Sequence, residues 1–434
     1  MVGASLSRVT LRAVVCFYVA AALAACSGNG TTSNVLPSNA KAPAKPVSAI
    51  QLCPLTNPMA FRCYAWLRTD LTSPDVISNG VPAHVGFTPD AIRSAYKLDS
   101  SKGVGQTIAI VDALGYKKAE SDLANYRQAA GAPACSIKSG CLKIVNQEGW
   151  LRPLPRQPTP DAIGWLFEES LDLDVVSAVC PHCKIVLVQA KSQHLNDLYA
   201  SVRTAAKFAP IVSMSWGAQE QGYPAPATFD QPNHVLVASA GDLGGGYGNG
   251  GGPQVPCVYA SVVCVGGTQL VRGTFGWGEY VWNSNIDSCP LACGATNSGC
   301  SQLVAKPAWQ TDKGCRSRSA ADVSAVASVF SPFAVYNSRF IGPDHGPWAG
   351  LGGTSVAAPL IAAVIALAGN ATTFGPGASH IWQHHVSLRD VTLGNNIYEP
   401  VTGPCASPVV YICYAKVGYD GPTGWGTPQG TDAF

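Results

Sequence analysis

A series of aliphatic runs, separated by segments of helical period, constrains this chain more than any other feature. Thr107-Ile-Ala-Ile-Val-Asp112, Lys184-Ile-Val-Leu-Val-Gln-Ala190, Ile211 to Trp216, Val235-Leu-Val-Ala-Ser-Ala240 and Val262 to Thr268 each read as a strand. Continuous apolar strands are buried on both faces, which is the habit of a parallel sheet. Between them the spacing predicts helices over residues 117–130, with Leu123 and Tyr126 inward, then 159–179, 195–209 and 355–367. Thr159 is placed to cap the second of these, with Pro160 at its first position. The expected class is α/β, a parallel sheet with helices on both faces. Its ligand site should lie beyond the carboxyl ends of the strands.

The amino-terminal segment reads as an address rather than as fold. Arg8 and Arg12 precede an apolar run too short to span a bilayer, and Leu23-Ala-Ala-Cys26-Ser27 follows. That is the form of a signal peptide over residues 1–25. Leu-Ala-Ala-Cys also resembles a bacterial lipobox, with Cys26 as the lipid-bearing residue and Ser27 as an outer-membrane sorting mark. A secreted or periplasmic protein is the alternative. Residues 27–50 lack periodicity and read as a flexible tether. Residues 26–84 are thus taken as a tether with a small segment around Cys53 and Cys63, and the body as residues 85–434. Of the 16 cysteines, 14 remain once Cys16 and Cys26 are set aside. Cys53 with Cys63, Cys135 with Cys141, Cys180 with Cys183, Cys257 with Cys264 and Cys405 with Cys413 suggest disulfides of an oxidising compartment. Cys289, Cys293, Cys300 and Cys315 make two more in an order the spacing leaves open. Lys plus Arg is 28 against 26 Asp plus Glu, so no basic stripe exists to gather a nucleic acid. Gly244 to Gly252 lacks the pattern of a nucleotide loop and reads as plain flexible loop.

Three places could carry chemistry. Gly352-Gly353-Thr354-Ser355-Val-Ala-Ala-Pro359 opens an apolar helix, a good seat for a nucleophilic hydroxyl, although a serine N-cap would look the same. Glu168 and Asp172 lie four apart on one helix face, where two carboxyls repel and share a proton. Such a pair can act as general base, and it also fits a solvated acidic face, as do Glu169 and Asp174 beside it. Asp242 follows the strand ending at Ala240, in the functional zone of a parallel sheet or in an ordinary turn. None of the eight histidines (His84, His182, His194, His234, His345, His380, His384, His385) stands in a recognisable catalytic motif.

Taken together these motifs resemble the sedolisin family, the serine-carboxyl peptidases. Gly353-Thr-Ser355 with Pro359 is similar to the family's nucleophile helix, and Glu168-x-x-x-Asp172 to its acidic helix. Ser213-Met-Ser-Trp-Gly217, Ala240-Gly-Asp242, Gly86-Phe-Thr-Pro-Asp90, Val281-Trp-Asn283, Lys306-Pro-Ala-Trp-Gln310 and Asp322-Val-Ser-Ala-Val326 follow in the family's order. The resemblance implies a subtilisin-like fold on a seven-stranded parallel sheet. It implies an acid-active endopeptidase acting on polypeptides through an acyl-enzyme, expected here to be a monomer. Ser355 would be the nucleophile, Glu168 its base, Asp172 the partner of Glu168, and Asp242, protonated, the oxyanion donor. Activity should then fall as Asp242 loses its proton, roughly between pH 5 and 7. Asp112 reads as structural, or as part of the site wall. The carboxyl-terminal segments Arg389–Asn396 and Ala415–Asp420 resemble the family's calcium loop. Asp390 and Asp420 would supply side chains to Ca2+, and Val391, Lys416 and Gly418 would supply carbonyls.

The chain departs from the family in having only residues 27–84 where a large propeptide would stand, in a Cys-rich insertion over 284–315, and at Ala327-Ser328. A non-catalytic binding lipoprotein on the same scaffold is the main alternative; a histidine-dependent subtilisin and an esterase are lesser ones.

Overall fold

The strand Thr107–Ala113 pairs in parallel with Lys184–Ala190 on one side and with Ile211–Met214 on the other. Leu142–Asn146 forms one edge beyond Lys184–Ala190. Val235–Ser239 and Val262–Gly273 continue the sheet in the other direction. Val262–Gly273 also pairs in parallel with Val323–Val326 and in antiparallel with Gly276–Val281. Of these eight strands only Gly276–Val281 runs against the rest, so the expected seven parallel strands are present with one antiparallel edge strand added. This computed structural model describes residues 47–54, 61–73, 80–220, 226–246, 250–284, 293–340, 346–398, 405 and 409–434. Residues 1–46, with the expected signal peptide and Cys26, lie outside the described residues, as do Cys289 and His345.

Burial explains the pattern. Every residue of Ile108–Ala113 and of Ile185–Ala190 is buried, which requires cover on both faces. Helices α1 (Pro89–Tyr96), α2 (Ala119–Ala129), α3 (Gly164–Val179), α4 (Leu195–Ala205), α5 (Thr354–Ala368) and α6 (Ser379–His384) are assigned in that order. α3 and α5 pack on one another and on the central strands, with α1 and α2 against α3, while α4 packs on Thr107–Ala113 and Lys184–Ala190. α5 is Ala-, Val-, Leu- and Ile-rich all round and buried from Thr354 to Leu367, as a helix running through a core must be. After Thr107–Ala113 the chain runs out to one edge and returns before crossing to Ile211–Met214. The strand order therefore reverses between those two strands, and the carboxyl ends beside that switch are where such a sheet places its ligand crevice.

Two expectations are corrected by tertiary contacts. The helix predicted from Thr159 begins at Gly164. Thr159 and Pro160 instead open a short 3-10 turn, Pro160–Ala162, in which the Thr159 side chain caps nothing. A side chain at 164 would meet the Leu52 carbonyl oxygen at 2.1 Å, so Gly164 is where the amino-terminal segment lies on α3. The body also begins before Val85. Ala49–Gln51 pairs with Trp66–Ser73, which pairs in turn with Trp348–Gly352. Arg62–Cys63 pairs with Trp216–Gln219. The stretch expected to be a tether up to residue 50 and a loose segment up to 84 is thus, from Val47 to Ser73 where described, built into the body.

All five proposed close cysteine pairs are bonded, and Cys300 pairs with Cys315 among the four left open. The Cys180–Cys183 bond is fully buried, which fits a structural role rather than metal or redox work. Among the described residues no helix is long and apolar enough to cross a membrane.

Candidate active site

Ser355 is the second residue of α5, after a Gly353 whose φ is +107°. Its Oγ is buried and donates to the Ser215 carbonyl at 3.1 Å. Pro359 has no N–H to give to the Ser355 carbonyl four residues back; the Ser215 hydroxyl lies 3.5 Å from that oxygen. Alanine at 353 would be strained at this φ, and its Cβ would stand 2.0 Å from the Tyr64 carbonyl oxygen and 2.9 Å from Asp242 Oδ2. Gly353→Ala is expected to cost at least about 2 kcal/mol in a thermal melt and to abolish activity, since both groups it would displace face the nucleophile.

Glu168 and Asp172 come from the middle of α3, one turn apart, and both are fully buried. The solvated-face reading therefore fails, for Glu169 and Asp174 as well. Gln189 Nε2 donates to Glu169 Oε2 at 2.8 Å, and the Tyr336 backbone N–H to Asp174 Oδ2 at 2.9 Å. Asp172 Oδ1 accepts from Ser215 Oγ at 2.8 Å. The Glu168 carboxyl adjoins the Ser355 hydroxyl, which favours its charged form. The Ser355 proton nevertheless points to Ser215, and neither oxygen of Glu168 has a formed hydrogen bond. The position suits a base that engages its partner only with substrate in place.

Charge is crowded here. Burial, then the charges of Asp172 and Asp112, push the Glu168 carboxyl well above the ordinary range. Burial and Asp112 do the same to Asp172, against the Ser215 hydrogen bond. Asp112, at the end of Thr107–Ala113, has no hydrogen-bond partner on either oxygen, and burial pushes it up to about 8. Their charges act on one another, so these acids titrate as one cluster.

Asp242 closes the other side. Its Oδ1 accepts from Thr354 N at 2.9 Å and from Thr354 Oγ1 at 2.7 Å. Burial pushes its pKa up to about 7, against the pull of the two Thr354 donors, then Arg62 and Trp66. The Trp66 indole favours the charged form without completing a hydrogen bond, and Oδ2 is left without a partner. With Oδ1 already accepting twice, a proton on this carboxyl belongs on Oδ2. Ser355, Glu168, Asp172 and Asp242 are thus brought together, and no described histidine is hydrogen-bonded to any of them.

Sequence reasoning missed Ser215, whose side chain and carbonyl link Asp172 to Ser355, although it lies inside the Ser213–Gly217 motif. It also missed the segment Arg62–Trp66. Tyr64 N–H donates to the Ser215 carbonyl at 3.2 Å and to Ser355 Oγ at 3.1 Å, and its carbonyl accepts from Ser355 N–H at 3.1 Å. No local signal marks these residues, because their partners lie far along the chain.

At the carboxyl end, Asp420 accepts from Thr423 N–H, Thr423 Oγ1 and Lys416 N–H, and Asp390 Oδ2 accepts from Gly418 N–H at 2.7 Å. Burial first, with Asp390 adding to it, pushes Asp420 up to about 8, and Asp390 Oδ1 is buried without a partner. A buried carboxyl, Asp420, beside a half-buried one, Asp390, with an orphaned oxygen fits a hard cation. Among the described residues no three His, Cys, Asp or Glu side chains cluster as metal ligands, so backbone carbonyls would have to complete the set.

Comparison with known proteins gives a consistent picture. Residues 162–393, more than half of the chain, match the family described as the Subtilase family. Kumamolisin of Bacillus sp. (strain MN-32) is 29% identical over 378 residues, covering 80% of this chain and 63% of the relative. Sedolisin of Pseudomonas sp. (strain 101) is 28% identical over 269 residues, covering 56% of this chain and 41% of the relative. The chain thus spans less than two thirds of the length of either. A solved Pseudomonas sedolisin, described as a serine-carboxyl proteinase complexed with two molecules of pseudo-iodotyrostatin, superposes with a TM-score of 0.63 at 22% identity. That match covers 80% of this chain and 96% of the other, and it shows the shared fold.

Proposed function

This chain belongs to the subtilase family by its family match and to the sedolisins by its relatives, and from that premise we propose that it is an exported, acid-active serine-carboxyl endopeptidase. The observation that carries the proposal is a buried serine hydroxyl enclosed by three carboxyl groups whose burial favours their protonated forms. Ser355 Oγ attacks the scissile carbonyl and its proton passes to Glu168. Asp172, held by Ser215, shares the charge of the pair and so sets how strongly Glu168 draws that proton. The oxyanion receives the Ser355 N–H and the proton on Asp242 Oδ2. Glu168 then returns its proton to the leaving amine, and water resolves the acyl-enzyme by the reverse path. A protonated Asp242 is required throughout, because an ionised one would face the oxyanion with like charge. Digestion of a peptide mixture at about pH 4 and at about pH 8, with wild type and Ser355→Ala, tests the reading. Serine-dependent cleavage in acid supports it, and cleavage that survives the substitution ends it.

In the same reading the side chains of Asp390 and Asp420 with carbonyls of Val391, Lys416 and Gly418 would hold Ca2+, which would supply positive charge beside the buried Asp420 and half-buried Asp390 carboxylates. Chelation at neutral pH is expected to lower the melting temperature by about 5 °C or more, and added Ca2+ to restore it. An unchanged melt with less than one bound ion per chain would remove calcium from the account. Export with a lipid on Cys26, holding the enzyme at the outer membrane, belongs to the proposal on sequence grounds and is tested by mass analysis of the mature amino terminus.

A further inference from the structure

The segment Phe61–Trp66 occupies the crevice as a peptide substrate would. Arg62–Cys63 pairs in antiparallel with Trp216–Gly217, so the segment adds a strand to the cleft wall. Tyr64 N–H donates to Ser215 O, Tyr64 O accepts from Ser355 N–H, and Ser355 Oγ lies 3.1 Å from Tyr64 N. Those bonds place the Tyr64 carbonyl against the nucleophile and in the oxyanion site. Trp66 onward then leaves along Trp348–Gly352.

The Tyr64 side chain enters a pocket that is built to receive it. Gly217 opens the wall, since a Cβ there would stand 2.7 Å from the Tyr64 hydroxyl and 3.1 Å from its ring. At the bottom the Tyr64 hydroxyl donates to Gln254 Oε1 at 2.8 Å. Gln254 cannot turn its amide round: Nε2 is surrounded by the carbonyls of Gly250, Gly251, Gly252 and Pro253 at 3.1 to 3.3 Å. Asn297 Nδ2 fixes two of those carbonyls, Gly250 at 3.0 Å and Gly252 at 2.9 Å. The described part of the glycine run is therefore a rigid cradle, not the loose loop its composition suggests. Its effect is to present a fixed acceptor, and only an acceptor, at the floor of the pocket.

We propose that this pocket is the specificity pocket of the enzyme, that Gln254 selects a tyrosine on the acyl side of the scissile bond by reading its hydroxyl, and that Tyr64–Ala65 is the chain's own bond of that kind. The inference rests on the peptidase reading above. A phenylalanine ring would fit but leave Gln254 Oε1 buried and unpaired, so the site discriminates through a lost hydrogen bond rather than through shape. For the chain's own bond, Ser355 Oγ forms an ester with the Tyr64 carbonyl carbon. The Tyr64–Ala65 C–N bond breaks, and the hydroxyl proton passes through Glu168 to the Ala65 amine. Water then hydrolyses the ester, giving a free Tyr64 carboxyl and regenerating Ser355. Cys53 and Cys63 both lie before that bond, so their disulfide does not hold the two products together.

The test holds the full chain at about pH 4 and reads new termini by sequencing and intact mass. Alongside, two peptides differing only in Tyr or Phe before the scissile bond are compared. We expect a new terminus at Ala65, formed at a rate independent of protein concentration, absent in Ser355→Ala and slowed about ten- to a hundredfold in Tyr64→Phe. The wild-type enzyme should favour the Tyr peptide by a similar factor, and Gln254→Leu should bring the ratio to one or below. Serine-dependent hydrolysis with no Tyr preference and no cut at Ala65 would overturn the inference and leave the peptidase reading standing. Failure of both the wild type and Tyr64→Gly, which empties the pocket, to hydrolyse any peptide would overturn both.

Discussion

Replacing Ser355 by alanine is expected to lower the rate of peptide hydrolysis by about five to six orders of magnitude, the scale seen when an acyl-transfer nucleophile is removed. In the proposed mechanism this hydroxyl forms the covalent intermediate, and the other site residues act through it. On that mechanism Glu168 would have nothing to deprotonate without it, and Asp242 no oxyanion to meet. The structural loss should be small by comparison. The substitution deletes a bond to Ser215 O and one from Tyr64 N–H, about 1–2 kcal/mol in all. A cooperative melt within a few degrees of wild type, with hydrolysis gone, is therefore the expected pair of results. Glu168→Gln should come close to the same loss of rate, because the amide keeps the shape and cannot take the proton. A rate within tenfold of wild type for either variant would remove the mechanism.

The second large effect is on stability, which should increase in acid. Burial raises Asp112 to about 8 and Asp242 to about 7 in the folded chain, whereas an unfolded aspartate titrates near 3.9. Between those values the folded state binds more protons than the unfolded one, so unfolding becomes easier as pH rises. The stabilisation is complete below about pH 4 and is lost by about pH 8. A shift of three units, as on Asp242, corresponds to roughly 4 kcal/mol, which already weighs heavily against a typical total of about 5–15 kcal/mol. With charged residues only 12% of the chain, there are few ion pairs for acid to break in return. Calorimetry on Ser355→Ala, which avoids self-digestion, should give a melting temperature at least about 10 °C higher at pH 4 than at pH 8. Asp112→Asn should lessen that dependence without removing it, since the amide does not titrate while Asp242 still does. A melt that is equal at both values, or higher at pH 8, would contradict the assigned protonation.

The parts of the fold legible in the sequence are those whose signal is local. Lys184–Ala190 is read to the residue and Thr107–Ala113 to within one, because an unbroken aliphatic run between turns has few other uses. That Ser355, Glu168, Asp172 and Asp242 stand together is legible through motif spacing, although composition alone would have left Glu169 and Asp174 in solvent. What stays hidden is what distant contacts decide. α3 starts at Gly164 because Leu52, more than a hundred residues earlier, leaves no room for a side chain there. Arg62-Cys-Tyr-Ala-Trp-Leu-Arg68 has no clean alternation, and its strands exist because Trp216–Gln219 and Trp348–Gly352 lie in wait for them. Gln254 is one glutamine among many until the carbonyls of Gly250 to Pro253 fix its orientation. On the proposed mechanism the cutoff expected from sequence between pH 5 and 7 would move towards the top of that range, since burial outweighs the Thr354 donors at Asp242.

The central claim is that protonated carboxyl groups, not a histidine, run acyl transfer at Ser355. The rate of hydrolysis of one tyrosine-containing peptide, followed from about pH 3 to 9, tests it most directly. A plateau in acid that falls about tenfold per pH unit above about 7, with the plateau itself depressed in Asp242→Asn, is the predicted result. A rate at pH 8 or 9 equal to that in acid, or an Asp242→Asn enzyme as fast as wild type, would contradict it.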